Sequence, residues 1–350
     1  MPESHVQKHL TVRNFILGGI RSGRLRPGDK APSEYALAQR FKINKTTCNK
    51  AVSMLVEDGY LERRKGAGTF VIDEYAKVAP AIGVFINLRP GSFFSHMLIG
   101  IQEEAAARGY SVSFFQAPSG ETDMERFRRH ITSTGIKGLI INRPFVKPMP
   151  GMQNLYLNTS VPNEPVNQVQ TDDFNAGYLI GRNFSDHGHR HAAFISQDVS
   201  RRDLLERARG FQKAMDDEKL KEHSARLHSF SKTEQNLFSV VQRLLRADHR
   251  ITAIGFDSIH VASEAFRVLK RLHRNVPKDI SLAGIGNLEA AEQTMRITTV
   301  DQHPLVLGHT AAESLIDLIE GRIKGGVRII IPVELLHGES ISQLKPEKKP

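Results

Sequence analysis

The order of apolar and polar positions separates a short N-terminal stretch from a much longer remainder. In the N-terminal stretch, apolar residues recur at helical spacing and are interrupted by glycine and proline. The pattern predicts three helices, over about 5–20, from Ser33 to Phe41 and from Asn44 to Asp58. Two short strands around a glycine-rich turn follow, Tyr60–Arg63 and Thr69–Ile72. We therefore treat 1–72 as one small domain and 73–80 as a linker.

From Ala81 onward, strand-like runs alternate with helix-like runs. The predicted strands are Ile82–Ile86, Ser111–Phe115, Gly138–Ile141, Ala192–Ile195, Ala253–Phe256, Ser281–Gly284 and Ile329–Ile331. The predicted helices are 94–108, 122–133, 174–187, 203–216, 234–246, 260–273 and 304–320. Such alternation indicates parallel sheets covered by helices, so the fold class is α/β over 81–340. The basic, proline-containing tail 341–350 is expected to be disordered.

The third predicted helix is apolar along one side only. Its apolar residues fall three or four apart and form one stripe: Cys48, Ala51, Val52, Leu55 and Val56. The other side presents polar residues near the helix start: Lys45, Thr46, Asn49 and Lys50. In a helix-turn-helix, the first turns of the second helix enter the major groove of DNA. There lysine can donate to guanine and asparagine can pair with adenine, and Thr46 and Thr47 can contact a phosphate or a thymine methyl group.

Charge agrees with a polyanionic partner. The net charge of the chain is +10, and residues 1–77 hold 14 basic and 8 acidic residues, a net of +6. The predicted hairpin turn concentrates Arg63, Arg64 and Lys65 beside two glycines, Gly66 and Gly68. Glycine allows close backbone approach to a groove wall, and basic side chains supply the electrostatic attraction to phosphates. A solvated basic surface would have the same composition, so charge alone favours nucleic acid only modestly.

Residues 16–71 carry a long pattern at fixed spacing: Gly23-x-Leu25-x-Pro27-Gly28-Asp29-Lys30, Pro32-Ser33-Glu34, Leu37-Ala38-x-x-Phe41, Lys45-x-Thr47, Ala51, Leu55, Gly59 and Gly66-x-Gly68-Thr69-Phe70-Val71. This pattern resembles the winged helix-turn-helix of the GntR family. The resemblance implies sequence-specific binding to double-stranded operator DNA as a homodimer. The candidate DNA-binding residues are Ser33, Tyr35, Asn44, Lys45, Thr46, Thr47, Asn49, Lys50, Arg63, Arg64, Lys65, Gly66 and Gly68. The family often has arginine where this chain has Tyr35, Lys45 and Asn49, which weakens bidentate guanine reading.

Residues 81–340 carry a second set of motifs: Ile82-Gly83-Val84, Asp172-x-x-x-Ala176-Gly177, His187-Gly188-His189-Arg190, Arg207-x-x-Gly210-Phe211, Val276-Pro277-x-Asp279-Ile280-Ser281-Leu282 and Thr298-Thr299-Val300-x-Gln302. As a group they resemble the effector-binding and dimerisation domain of the LacI/GalR family, itself similar to periplasmic sugar-binding proteins. The resemblance implies two lobes, about 81–163 with 303–325 and 164–302 with 326–340. The combination with the N-terminal domain is similar to arabinose-type repressors of the GntR family.

Open α/β sheets bind ligands at the carboxyl ends of their strands. Residues that follow predicted strands are therefore candidates for ligand binding: Asn87, Arg89, Arg143, Asn158 and Phe256. The LacI/GalR resemblance assigns ligand positions to Asn158, Arg207, Phe256, Gly286 and Gln302. Arg207 and Gln302 match the family, whereas Asn158, Phe256 and Gly286 replace an acid, a polar residue and an aspartate. The effector is accordingly expected to be an unusual sugar, another small molecule, or absent. Phe256 could stack on a sugar or belong to the core, and Arg207 could hold a ligand or form a surface salt bridge.

Other signals favour no catalytic or metal chemistry. The single cysteine, Cys48, excludes an internal disulfide and fits a cytoplasmic protein. The histidines of 187–191 are adjacent to a strand and are not expected to bind a metal. The pair Asp172-Asp173 is expected to cap a helix near Phe174 rather than to act in catalysis. The sequence contains no apolar run of about 18 residues, so it predicts no membrane span. It also contains no nucleotide-binding or hydrolase motif, and no cofactor is expected. Two alternatives to an effector-controlled DNA-binding repressor remain. One is a ligand-binding receptor that uses the winged helix for protein contacts, and the other is a regulator that lacks a small-molecule effector and acts through protein contacts.

Overall fold

The chain forms two compact units, 1–79 and 80–350. The computed structural model describes residues 5–21, 24–72, 80–86, 92–116, 131, 136–142, 148–159, 166–198, 201–217, 224–229, 237–287 and 294–344. The predicted helix over 122–133, apart from Ile131, and nearly all of the predicted linker lie outside the described residues. In the part of the chain that is described, none of the helices combines the length and apolarity that a membrane crossing requires.

The first unit is a winged helix-turn-helix. Its elements are α1 (His5–Arg21), α2 (Glu34–Phe41), α3 (Lys45–Glu57), β1 (Leu61–Arg64) and β2 (Gly68–Val71). The strands β1 and β2 pair antiparallel, and Lys30 adds an isolated bridge to Phe70. The predicted elements are confirmed, with each strand displaced by one residue from the predicted bounds.

Helix α3 begins and ends where the local chemistry places its ends. The Asn44 side chain accepts a hydrogen bond from the Thr47 backbone N–H at 2.7 Å, which satisfies one free donor of the first turn. After the helix, Gly59 has a φ of 74°, which a glycine adopts without steric cost. The predicted stripe is confirmed, because Cys48, Ala51, Val52 and Leu55 are buried while Val56 packs against their cluster. Other members of this core are Val12, Ile16, Leu17, Ile20, Ala31, Leu37, Leu61 and Val71.

The second unit contains two six-stranded sheets. The first sheet has the order β13-β7-β6-β5-β3-β4, and its pairings are parallel throughout the described residues. Its strands are β3 (Ala81–Ile86), β4 (Ser111–Gln116), β5 (Ile136–Asn142), β6 (Gln153–Leu157), β7 (Asn167–Thr171) and β13 (Arg328–Ile331). The helices α4 (Ser92–Ala107) and α9 (Pro304–Glu320) contribute to its core. The predicted α/β class with parallel sheets is confirmed.

The second sheet has the order β14-β12-β11-β10-β8-β9. Its strands are β8 (His191–Ser196), β9 (Ser224–Ser229), β10 (Ala253–Phe256), β11 (Ser281–Ile285), β12 (Thr298–Asp301) and β14 (Glu334–Leu336). Only β14 is antiparallel to its neighbour in the described pairings. The helices of this lobe are α5 (Asp173–Asp186), α6 (Arg202–Asp217), α7 (Leu237–Ala247) and α8 (Ile259–Arg271).

The chain crosses between the two sheets later than the sequence indicated. It leaves the first sheet after Thr171 rather than near 163, and it leaves that sheet again after Ile331 rather than near 325. The cause is that β7 and β13 pair with each other and extend the first sheet. Strand β7 has the sequence NQVQT, which carries no apolar run that would have marked it as a buried strand.

In each lobe, two helices cross so closely that glycines of one helix lie against the backbone of the other. A Cβ atom on Gly177 of α5 would overlap the carbonyl oxygen of Arg207, and one on Gly210 of α6 would overlap that of Phe174. In the other lobe, Gly100 of α4 and Gly308 of α9 meet the opposing backbone in the same way. These glycines therefore set how closely the helices approach and where the side chains beside the crossings lie.

The segment before the C-terminus is fixed against the second sheet, which corrects the expectation of a disordered tail beginning at 341. The backbone N–H of Ser342 donates to Ser281 Oγ at 3.0 Å, and that of Leu344 donates to the His187 carbonyl at 2.9 Å. These backbone hydrogen bonds order residues 341–344, whereas the composition of the tail had predicted disorder. Residues 345–350 lie outside the described residues.

His189 joins this segment to the lobe. Its Nδ1 lies 2.9 Å from Thr252 Oγ1 and its Nε2 lies 3.1 Å from the Ser342 carbonyl oxygen. Because a carbonyl only accepts, a neutral ring with its proton on Nε2 satisfies both contacts. Burial lowers the pKa of His189 from its usual 6.5 to about 4. The folded protein therefore holds this histidine uncharged at neutral pH.

Substitution of Gly177 or Gly210 by alanine will destabilise the second unit by about 3 kcal/mol or more, because the opposing backbone cannot yield to a methyl group. Gly18→Ala is the matched control, since this helical glycine has nothing within 4 Å of the added atom. It will stabilise the first unit by about 1 kcal/mol through helix propensity. Thermal unfolding checks both signs, and an unchanged midpoint for Gly177→Ala would contradict the crossing geometry.

Acid will weaken folding through His189. A lowered folded-state pKa means that the stabilisation is present above about pH 6.5 and is lost as the pH falls from 6.5 towards 4. The full loss is about 3 kcal/mol in the free energy of unfolding. Denaturant unfolding at pH 7 and pH 5, compared between the native chain and His189→Gln, isolates this contribution. Equal pH dependence in both proteins would show that His189 is not the group responsible.

Candidate nucleic-acid interface and effector site

The first turns of α3 present a polar surface to solvent. Lys45, Thr46, Asn49 and Lys50 are exposed, and Thr47 is half-buried. Asn44 is exposed but its side-chain oxygen is used by the cap, so its contribution to this surface is mainly structural. The opposite side of α3 packs into the core, so the helix cannot rotate about its axis without exposing apolar side chains to solvent. The α3 surface is therefore available to a partner in the orientation that the sequence predicted.

The start of α2 adds two candidate residues, Ser33 and Tyr35, to the polar surface of α3. Ser33 caps α2 by accepting from the Ala36 N–H at 3.1 Å. Tyr35 is 66% exposed and its hydroxyl accepts from Gln39 Nε2 at 3.0 Å. An exposed tyrosine ring such as that of Tyr35 is typical of a surface that contacts a partner, because the ring is apolar and its hydroxyl can form a hydrogen bond.

The wing formed by β1 and β2 lies against α3 through Arg63. Arg63 Nη2 donates to Asn49 Oδ1 at 3.2 Å and to Ser53 Oγ at 3.0 Å. The same nitrogen lies 3.6 Å from Glu34 Oε1. Arg63 therefore links the wing to α2 and α3, a role that charge counting did not reveal.

The rest of the wing is basic and exposed. Arg64 pairs with Glu62 and its guanidinium lies 4.7 Å from the centre of the Phe70 ring. Lys65 and Gly66 form the exposed turn, where Gly66 has a φ of 76°. Gly68, with a φ of 121°, leaves room for Lys30, whose Cε would lie 2.6 Å from an added Cβ. The glycines thus serve the tight turn and the packing of Lys30 across it.

In the second unit, the carboxyl edges of the two sheets meet through a chain of three side chains. Asn158, after β6, accepts at Oδ1 from Thr171 Oγ1 at 3.0 Å. Thr171, the last residue of β7, in turn accepts from Gln302 Nε2 at 2.9 Å. Gln302 follows β12 of the other sheet and is buried. Two predicted ligand residues, Asn158 and Gln302, are therefore brought together through Thr171, which sequence analysis did not single out.

Arg207 is held in a buried ion pair, which corrects its alternative interpretation as a surface salt bridge. Its Nε donates to Asp173 Oδ1 at 2.8 Å and its Nη1 donates to the Asp257 carbonyl oxygen at 2.6 Å. Burial raises the pKa of the Asp173 carboxyl, and the charge of Arg207 opposes that rise. Burial lowers the pKa of Arg207, but the carboxylates of Asp173 and Asp203 outweigh it and the net shift is upward. Asp172 caps α5 as predicted, whereas Asp173 does not act as the cap.

Phe256 is a core residue, which confirms one of its two predicted alternatives and corrects its place among the candidate ligand residues. Its side chain is fully buried in the cluster formed with α7 and α8. The next residue, Asp257, is the first after β10. Its Oδ2 accepts from Ser196 Oγ at 2.9 Å and from the Gln197 N–H at 2.6 Å. Burial raises the pKa of the Asp257 carboxyl, against the effect of these hydrogen bonds.

Gly286 occupies a backbone position that limits replacement. Its φ is 104°, in the region that glycine adopts and other residues rarely do. An added Cβ would lie 3.9 Å from Gln302 Oε1 and 3.5 Å from Ile259 Cγ2. The position is therefore beside Gln302, as the sequence resemblance implied, but it contributes no side chain. The remaining predicted ligand residues, Asn87, Arg89 and Arg143, lie outside the described residues.

Within the described ranges, no group of three histidine, cysteine or carboxylate side chains is arranged to hold a metal ion. Of the histidines at 187–191, His189 is committed to the C-terminal segment and His187 Nδ1 lies 2.8 Å from the Asn183 carbonyl oxygen. These contacts give the histidines structural roles.

Two protein families match separate parts of the chain. Residues 10–71 match the bacterial regulatory proteins of the gntR family. Residues 182–341 match the periplasmic binding protein-like domain. The two matches fall in the two compact units, and they confirm both resemblances drawn from the sequence.

Relatives extend the similarity to nearly the whole chain. The arabinose metabolism transcriptional repressor of Geobacillus stearothermophilus is 27% identical over 346 residues, which cover 92% of this chain and 94% of that protein. The HTH-type transcriptional repressor PurR of Escherichia coli O1:K1 is 22% identical, covering 75% of this chain and 80% of its own length. A LacI family transcriptional regulator from Enterococcus faecium with bound ribose aligns with a TM-score of 0.66 at 24% identity, over 76% of this chain and all of that one.

Proposed function

We propose that this chain, which joins a gntR-family helix-turn-helix domain to a periplasmic-binding-protein-like domain, is a transcription repressor controlled by a small sugar-like effector. The observation that carries the proposal is the exposed polar start of α3 beside a basic wing. The similar repressors named above support the assignment to gene regulation. We further propose that the protein acts in the cytoplasm as a homodimer, because operator half-sites related by a two-fold axis require two copies.

In the proposed complex, α3 enters the major groove and the wing contacts the adjacent backbone. Lys45 and Lys50 can donate to guanine, and Thr46 can contact a phosphate or a thymine methyl group. The exposed N-terminal amides of α3 add to the attraction for phosphate. The wing residues Arg64 and Lys65 contribute charge without reading bases, since they follow the backbone rather than the base edges.

The effector is proposed to bind where the carboxyl edges of the two sheets meet. Asn158 uses its Oδ1 for Thr171, so its Nδ2 hydrogens remain for a ligand hydroxyl. The relative active in arabinose metabolism and the ribose-bound structure favour a small sugar as ligand class. An effector that binds one arrangement of the lobes better than the other shifts the protein towards that arrangement and so changes its affinity for the operator. The coupling is reciprocal, so bound operator changes the affinity for the effector by the same factor.

Binding to a short palindromic operator will depend steeply on salt. A dimer that contacts roughly six to ten phosphates loses about 10³- to 10⁵-fold in affinity between 50 and 200 mM salt. Fluorescence anisotropy with DNA from the chain's own promoter region measures this slope.

Lys45→Ala will reduce discrimination between operator and random DNA, whereas Arg64→Ala will weaken binding to operator and to random DNA alike. Salt-insensitive binding, or the same loss of discrimination in both variants, would contradict the proposed division of roles.

A sugar that binds at the proposed site will raise the unfolding temperature of the second unit. At a concentration of one hundred times its Kd, a ligand stabilises the folded state by about 3 kcal/mol. A panel that contains arabinose, ribose and xylose, read by thermal shift, will identify it. Asn158→Ala is expected to abolish the shift, and Gln153→Ala, an exposed side chain at the opposite end of β6, is expected to retain it. A shift that survives in Asn158→Ala would place the ligand elsewhere.

A further inference from the structure

Asn49 on α3 is part of a network that limits which base it can read. Its Oδ1 accepts one hydrogen bond from Arg63 Nη2 at 3.2 Å and another from Ser53 Oγ at 3.2 Å. Arg63 Nη2 also donates to Ser53 Oγ at 3.0 Å. The amide oxygen of Asn49 therefore receives two donors, which is the number of its lone pairs.

The chemistry of arginine fixes which way the Asn49 amide points. A guanidinium only donates, so the atom that faces Arg63 must be the oxygen and not the nitrogen. The amide Nδ2, with two hydrogens, is then directed away from Arg63. Asn49 is exposed, so these hydrogens are available to a partner on the α3 surface.

The wing and α2 hold Arg63 in this position. Arg63 pairs with Thr69 in the β1–β2 ladder, and Glu34 Oε1 lies 3.6 Å from its Nη2. Asn49 and Ser53 lie one turn apart on the same side of α3, so one guanidinium nitrogen reaches both. The neighbouring Arg64 instead contacts Glu62 and Phe70 and takes no part in the network.

Asparagine ordinarily reads adenine with both ends of its amide. The oxygen accepts from adenine N6 while the nitrogen donates to N7. In this chain the oxygen is occupied, so the adenine amino group would meet no acceptor on Asn49. Guanine presents two acceptors, N7 and O6, to the same edge, and both suit the Nδ2 donors.

We propose that Arg63 is a specificity-determining residue that converts Asn49 into a hydrogen-bond donor only, so that the protein prefers guanine over adenine at the base that Asn49 contacts. The inference rests on the proposed binding of operator DNA. It assigns Arg63 to positioning and to specificity in place of the general phosphate contact expected of a wing arginine.

Selection of bound sequences from a randomised duplex library, carried out with the full-length protein, tests the inference. The base contacted by Asn49 is identified as the position whose preference disappears in Asn49→Ala. The native chain is expected to select guanine there, and Arg63→Ala is expected to move the preference towards adenine by about tenfold, because Oδ1 becomes free to accept. Arg64→Ala removes the same charge from the wing and is expected to weaken binding with no change of preference at this position.

The outcomes separate the inference from the proposed function. Enrichment of a sequence with adenine at the Asn49-dependent position in the native chain would overturn the inference while leaving DNA binding intact. The same would follow if Arg63→Ala behaved like Arg64→Ala, or if Asn49→Ala left every base preference unchanged. Failure to enrich any sequence, with all four proteins folded by circular dichroism, would overturn the proposed function and the inference with it.

Discussion

Burial of one side of α3 is the constraint on which the functional surface depends. Four residues of that side, from Cys48 to Leu55, are at most 1% exposed and pack into the core of the first unit. Burying such side chains stabilises by about 25 cal/mol per Å² of apolar surface, so rotation of the helix about its axis would be costly. The polar start of α3 is therefore held outward by the core behind it. The Asn44 cap and Arg63 then fix the details of that surface.

In the second unit, backbone contact between helices serves the same purpose. The crossing at Gly177 and Gly210 brings α5 and α6 together, and it is this approach that places Arg207 against Asp173. A buried charge without its partner is strongly destabilising, so the ion pair and the crossing support each other. Arg207 reaches the end of β10 through the same packing, where it donates to the Asp257 carbonyl. The crossing therefore fixes Arg207 between α5 and the end of β10.

The sequence was most informative where a local pattern alone determines structure. Helical spacing and a capping residue were enough to predict α3 and the orientation of its faces. It was least informative in the second unit, where strands of a parallel sheet are covered on both sides. There every residue of β10 is buried, so no alternation showed that the Phe256 side chain belongs to the core and that the polar residue after the strand is Asp257. Thr171 and the segment 341–344 depend on hydrogen bonds to residues far away in the chain, which no local pattern records.

Amide hydrogen exchange of the full-length protein, with and without operator DNA, tests the central claim most directly. If α3 and the wing form the DNA interface, exchange will slow in peptides that cover 44–50 and 61–71, and the buried residues of α3 will already be protected without DNA. Protection by DNA confined to other parts of the chain, with 44–50 unchanged, would contradict the account.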